Sequence, residues 1–258
     1  MKGEIIFLGT GTSHGVPKIG CRCKVCLSDD PKDKRMRSSI LIKIEKKSNI
    51  LIDTSIDLRF QALKHNIDKI DAVLFTHYHA DHIFGLDELR RFNEITGKTI
   101  PIYGTKDTLQ EIRRIFSYVF SGRHIPGGGI PSLKAVEVNS RINIEGITFD
   151  RLEGKHGMFD VSGFRMANVV YFTDVKHISE KTLKKMEGLE ILILGALRDT
   201  PHPTHFSIDE AYEIVKKIQP QKTYLTHISH EISHSETSLQ LPTNVFLAYD
   251  GLKLEFEI

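Results

Sequence analysis

Apolar residues come in short runs, each followed by polar residues, glycines or prolines. These runs predict strands at Glu4–Leu8, Ile40–Ile44, Ile50–Asp53, Ala72–Phe75, Pro101–Tyr103, Ala135–Val138, Ile147–Leu152, Val169–Thr173, Leu189–Leu194, Thr223–Leu225, Val245–Ala248 and Leu252–Phe256. Apolar positions at helical spacing predict helices over Ile56–His65, Leu86–Ile95 and Thr108–Val119. A fourth helix is predicted at Ser207–Ile218, where Ser207 and Glu210 have the spacing of a capping box. Ser121–Pro131 reads as a loop from its Gly and Pro content, and Gly127–Gly129 suggests a mobile flap. Strands with helices interspersed in both halves predict an α/β or α+β fold in a single domain over residues 1–258. Polar clusters stand where apolar strands end: Gly9–Gly15, Thr76–His82, Thr173–Asp174 and Thr226–His227. Strand ends converging on one rim of a sheet sandwich would bring these clusters together.

Composition narrows this picture. The 258 residues are 40% hydrophobic and 26% charged, which excludes intrinsic disorder and leaves room for a sizeable core. No apolar run approaches the ~18 residues of a membrane span. MKGEIIFLGTGTSHG reads as a first strand and its loop rather than a signal peptide. The 35 Lys and Arg against 33 Asp and Glu leave +2, which argues against nucleic-acid binding driven by charge. All three cysteines, Cys21, Cys23 and Cys26, lie too close together to staple the chain as disulfides, so reduced thiols and a cytoplasmic protein are expected.

The strongest chemical signal is His77-Tyr78-His79-Ala80-Asp81-His82, directly after a buried-type strand. In an extended segment His77 and His79 project from the same side, and as the chain turns Asp81 and His82 reach a second position. Neutral imidazoles and a carboxylate are ligands that Zn, Fe and Mn accept. With this HxHxDH motif the chain resembles the metallo-β-lactamase-fold hydrolases over nearly its whole length. His156 in GKHG, Asp174 in YFTD, His227 in YLTH and Asp53 in LIDTS match the family's later motifs in order. The resemblance implies an αββα sandwich holding two divalent metal ions. His77, His79 and His156 would hold one ion, and Asp81, His82 and His227 the other. Asp174 would bridge them, and Asp53 would support the metal loop by hydrogen bonds. A hydroxide between two such ions would be the nucleophile, since the metals lower the pKa of bound water. Zn, Mn and Fe all suit these ligands.

Cys21-x-Cys23-x-x-Cys26 is tight enough for one tetrahedral structural zinc, a knuckle within residues 20–30. His230, three positions after His227, is the preferred fourth ligand, with His234 the alternative. GTGTSHGVPKIGCRCKVC, HYHADH and the paired His227 and His230 are similar to the phosphoribosyl cyclic phosphodiesterase subfamily of the carbon–phosphorus lyase pathway. That resemblance implies a phosphoric diester hydrolase acting on a small, preferably cyclic, phosphate diester.

In that subfamily a His before a helix contacts the phosphate, and His205 is the matching position, in a Pro-rich loop stiff enough to aim it. A protonated His205 could stabilise phosphoryl charge or donate a proton. His202 is the less favoured neighbour. Catalytic roles therefore fall to His205 and Asp81. Lys32, Lys34, Arg35 and Arg37 read as solvated charge, or as an attractor for a phosphorylated substrate. The Gly9–Ser13 segment completes neither nucleotide-binding glycine motif and reads as a tight turn. The expected partner is a small phosphorylated substrate, with no membrane and no nucleic acid, and a homodimer is the default oligomer. Two further readings stand beside the diesterase. One is an oxidoreductase or hydroxylase resembling the pyrroloquinoline-quinone biosynthesis protein of this fold; the other is a tRNA 3′-processing nuclease.

Overall fold

The computed structural model describes residues 1–45, 48–122 and 129–258; Gly127 and Gly128, which carry the flap expectation, lie outside them. Two sheets form the centre. Across the first, the strands run in the order Lys253–Glu257, Lys2–Gly9, Ser39–Ile44, Ser48–Ile52, Ala72–Leu74, Ile100–Gly104 and Leu133–Glu137. Across the second they run His177–Ile178, Ile147–His156, Phe159–Met166, Val169–Phe172, Ile191–Gly195, Lys222–Thr226 and Val245–Leu247, with Arg141–Ile144 also paired to Ile147–His156.

Burial on both faces explains why these strands read as continuous apolar runs. Ile5 and Phe7 face the core between the sheets, with Ile40, Ile52, Phe149, Phe164, Tyr171 and Ile193. Ile6 and Leu8 point the other way, toward Leu58, Leu89, Phe92, Leu109 and Ile112 of the covering helices. The second sheet repeats the device: Val170, Phe172, Leu192 and Leu194 meet Ile208, Ala211, Ile214, Val215 and Ile218. The result is the four-layer αββα arrangement.

The helix Ile208–Ile218 begins with the reciprocal capping box of Ser207 and Glu210. Each Ile or Val that it buries contributes roughly 1.5–3 kcal/mol. The expected helix Thr108–Val119 is instead two, Lys106–Ile115 and Ser117–Phe120, parted where Phe116 leaves helical geometry with its ring buried. Leu86–Ile95 opens as the 3-10 turn Leu86–Glu88 before the helix Leu89–Thr96. The strand Phe159–Met166 is absent from the expected set. Gly163 and Gly154 form a seat for the Phe172 ring: a Cβ on either would come within 2.6 Å of it.

Parallel pairing positions the chemistry. Ser48–Ile52, Ala72–Leu74 and Ile100–Gly104 run parallel, as do Val169–Phe172, Ile191–Gly195 and Lys222–Thr226. Their C-terminal ends therefore leave each sheet at a common edge, and Asp53, His77, Asp174 and His227 lie just beyond them.

Candidate metal centre

Three of these residues sit at positive φ without being glycine: Asp53 at 63°, Asp174 at 46° and His227 at 59°. A left-handed residue costs on the order of 1–3 kcal/mol, so the surroundings must over-determine it. Asp53 accepts from the Thr76 backbone N–H at 2.8 Å, the Thr76 hydroxyl at 2.8 Å and His82 Nδ1 at 2.7 Å. The Thr173 hydroxyl donates to Asp174 Oδ1 at 2.8 Å.

Two ligand groups result. His77, His79 and His156 form one, and Asp81, His82, Asp174 and His227 the other; within each, the ligand atoms lie within 4.8 Å of one another. The extended segment turns His77 Nε2 and His79 Nδ1 toward each other at 2.9 Å, and the helix Ala80–Ile83 carries Asp81 and His82 to the second group. Asp174 faces both. Its Oδ2 is 3.9 Å from His77 Nε2, and its Oδ1 is 3.4 Å from His82 Nε2 and 3.2 Å from His227 Nε2.

The outer nitrogens decide which inner ones are free. Asp53 takes His82 Nδ1, the Thr204 carbonyl accepts from His156 Nδ1 at 2.8 Å, and Thr76 Oγ1 lies 3.0 Å from His77 Nδ1. Each leaves Nε2 with its lone pair turned inward, the role such partners play for metal-binding imidazoles. His82 Nε2 and both ring nitrogens of His227 are buried without a hydrogen-bond partner. Burial opposes charge on His82, yet Asp81, Asp174 and Asp53 push its pKa well above the ordinary value. Burial and the charge of His82 push His77 well below it. Asp81 stays ionised below the usual carboxylate range, although burial opposes this, because His82 and His227 surround it. Orphaned inward nitrogens, a demand for positive charge and a neutral imidazole at the other end all fit divalent metal ions.

His205 stands at the open side, its ring 4.4 Å from His156 and 4.8 Å from His227, where it also groups with His156 and Asp174. Burial first, and then His227, pushes its pKa down to about 3. This disfavours the protonated form considered from the sequence; the neutral ring still offers an N–H. His202 is turned aside, its Nδ1 accepting from the Thr204 backbone at 3.3 Å.

The cysteines form a separate group with His230. His230 Nδ1 is 3.4 Å from Cys21 Sγ and 3.3 Å from Cys23 Sγ. Zn–S and Zn–N bonds at tetrahedral angles would set these atoms about 3.5 Å apart. Backbone N–H groups of Lys18 and Cys26 point at the Cys26 and Cys23 sulfurs, and His230 draws the Cys23 thiol down to about 6. His234 lies elsewhere, beside Arg35.

The basic cluster needs correction too. Arg35 is buried and donates to the Ala248 carbonyl at 2.7 Å and the Thr10 hydroxyl at 3.2 Å. Arg37 is paired with Asp57 at 3.1 Å. Gly9 and Gly11 lie flat against this segment, since a Cβ on Gly9 would fall 2.0 Å from the Arg37 carbonyl. The turn so formed accepts from Ile228 N–H at Thr10 O, 2.8 Å, and steadies the chain just past His227.

The threonines were missed. Thr76 and Thr173 immediately precede His77 and Asp174 and hydrogen-bond the site's carboxylates and imidazole, and that recurring Thr-ligand pair was the available signal.

The sequence of the Beta-lactamase superfamily domain is matched over residues 48–228. A crystal structure of a diphosphatase from the PhnP family is 41% identical, with a TM-score of 0.93, over 99% of this chain and 98% of that one. A protein named octanoyltransferase from Porphyromonas gingivalis is 36% identical over 96% of this chain, which covers 50% of that protein. The chain spans about half the length of such curated relatives. Zn-bound PqqB from Methylobacterium extorquens shares the fold at 19% identity and a TM-score of 0.77, over 97% of this chain and 99% of that one.

Proposed function

The chain belongs to the β-lactamase superfamily as a metal-binding, PhnP-like hydrolase, and on that premise we propose that it is a phosphodiesterase acting on small phosphate diesters, cyclic ones preferred. The observation that carries this is Asp174 facing both ligand groups, on a chain 41% identical to a diphosphatase. A diester and a diphosphate present the same kind of phosphoryl centre.

His77, His79 and His156 would hold one divalent ion; Asp81, His82 and His227 would hold the other, with Asp174 shared. Bound Zn, Mn or Fe supplies Lewis acidity and, from water, a nucleophile at neutral pH. Asp53, Thr76 and the Thr204 carbonyl engage the outer ring nitrogens and keep the imidazoles turned inward. His205 donates its N–H to a phosphoryl oxygen at the open side, a contact that strengthens as charge gathers there. Asp81, held ionised, would serve as a ligand to the second ion and as a hydrogen-bond acceptor that orients water beside it. Cys21, Cys23, Cys26 and His230 would close around a structural zinc. The octanoyltransferase name belongs to a protein about twice as long, and all three thiols here stand at His230, apart from the His and Asp groups.

Hydrolysis of bis(p-nitrophenyl) phosphate by protein loaded separately with Mn and Zn tests this reading. Metal-dependent turnover is expected, and Asp174→Asn should lower it about 10³-fold, the several kcal/mol of charge stabilisation at stake. No turnover with either metal at full occupancy overturns the reading and favours the oxidoreductase alternative, which oxygen uptake by the iron form would then reveal.

A further inference from the structure

The first ligand group has an aromatic wall that none of the chemistry above requires. His156 pairs directly with Phe159 across a turn of only Gly157 and Met158. Gly157 has φ 60°, and a Cβ there would come within 3.0 Å of Thr204 Cγ2, so the turn is held tight. Phe159 is thereby fixed opposite a metal-type ligand. Its ring centroid lies 5.0 Å from that of His79 and 5.8 Å from that of Tyr78, nearly perpendicular to both, at 77° and 88°. Tyr78 in turn packs against the helical core. In spite of these contacts Phe159 remains 41% exposed, and Met158 is 93% exposed. A braced but uncovered aromatic ring beside a ligand group is a ready surface for a second flat ring. Polar groups, Thr204 and His205, stand instead at the group's other imidazole, His156.

We propose that Phe159, backed by Tyr78, is a specificity-determining residue that stacks against a planar aromatic group carried by the substrate, a nucleobase being the natural class. The proposal rests on the phosphodiesterase reading. Such an aromatic pair contributes about 0.5–1.5 kcal/mol beyond the area it buries, or up to roughly tenfold in affinity.

Competitive inhibition of bis(p-nitrophenyl) phosphate hydrolysis provides the test, with AMP and ribose 5-phosphate as inhibitors that differ by the base. In the unmodified enzyme AMP should bind several-fold to tenfold more tightly than ribose 5-phosphate. Phe159→Ala should bring the two inhibition constants within about twofold, while Phe159→Trp keeps the preference, and this second variant separates stacking from damage to the hairpin. Equal inhibition constants in the unmodified enzyme, or a preference that survives Phe159→Ala, would overturn the proposal. Absence of hydrolysis in the metal-loaded enzyme would instead remove the phosphodiesterase reading beneath it.

Discussion

The two ligand clusters are built in opposite ways. The knuckle takes three ligands from Cys21–Cys26 and a fourth, His230, from the far end of the chain. The His and Asp centre collects residues from His77 to His227, delivered by strand ends of both sheets. Three thiolates and an imidazole would complete a tetrahedral shell around a zinc and leave no position for a substrate, as a structural site requires. The larger centre has His205 and Phe159 on its open side and its ligands oriented from behind by Asp53, Thr76 and Thr204. A closed shell stabilises; an open, oriented one can do chemistry. The two meet on one segment, where His227 serves one and His230 the other.

If this division is right, substitutions in the two clusters should fail differently. The largest effect belongs to Asp174→Asn, whose loss of turnover should leave the melting temperature nearly unchanged. Cys23→Ser should do the reverse: a fall in melting temperature of about 10 °C, from the few kcal/mol that a lost metal ligand costs. Its turnover per folded molecule, measured at saturating metal, should stay within about threefold, because the chemistry lies elsewhere. Asp53→Asn blurs the boundary on purpose. Removing the acceptor at His82 Nδ1 should weaken metal binding at the larger centre by about 10–100-fold, seen by titration with a chelator competitor and reversed by added metal.

The smallest effect concerns His234, packed beside Arg35 and outside both clusters. Burial first, and then Arg35, lowers the pKa of His234 to about 4 from 6.5. Between those values the unfolded chain binds a proton there that the folded chain refuses, so this group makes stability rise with pH from 4 to 6.5. In His234→Gln the slope of unfolding free energy against pH in that window should be smaller by up to one proton, as denaturant titrations would show.

The same contrast governs what could be read from the chain in advance. The knuckle cysteines announce themselves by spacing, and the HxHxDH segment does so because three His and one Asp follow a buried strand. His156, Asp174 and His227 are each unremarkable as single residues; all three emerged through resemblance, and Asp174 and His227 also through the rule that polar residues follow strand ends. The fold explains that rule through parallel pairing, which sends the ends to one edge. Arg35 was misread because its burial depends on Thr10 and Ala248, distant in sequence. The strand Phe159–Met166 was hidden because its glycine answers to Phe172, nine positions on. The burial and the His227 neighbour that lower the His205 pKa are likewise supplied by the fold and not by nearby sequence. Local patterns are legible; partners supplied by the fold are not.

The division of labour is tested most directly by native mass spectrometry for metal content, paired with turnover on the same samples of the unmodified protein, Cys23→Ser and Asp174→Asn. The account predicts that Cys23→Ser loses the knuckle ion and keeps turnover, whereas Asp174→Asn keeps the knuckle ion and loses turnover. A Cys23→Ser protein that retains its other ions but no longer hydrolyses the diester, or an Asp174→Asn protein that still does, would contradict it.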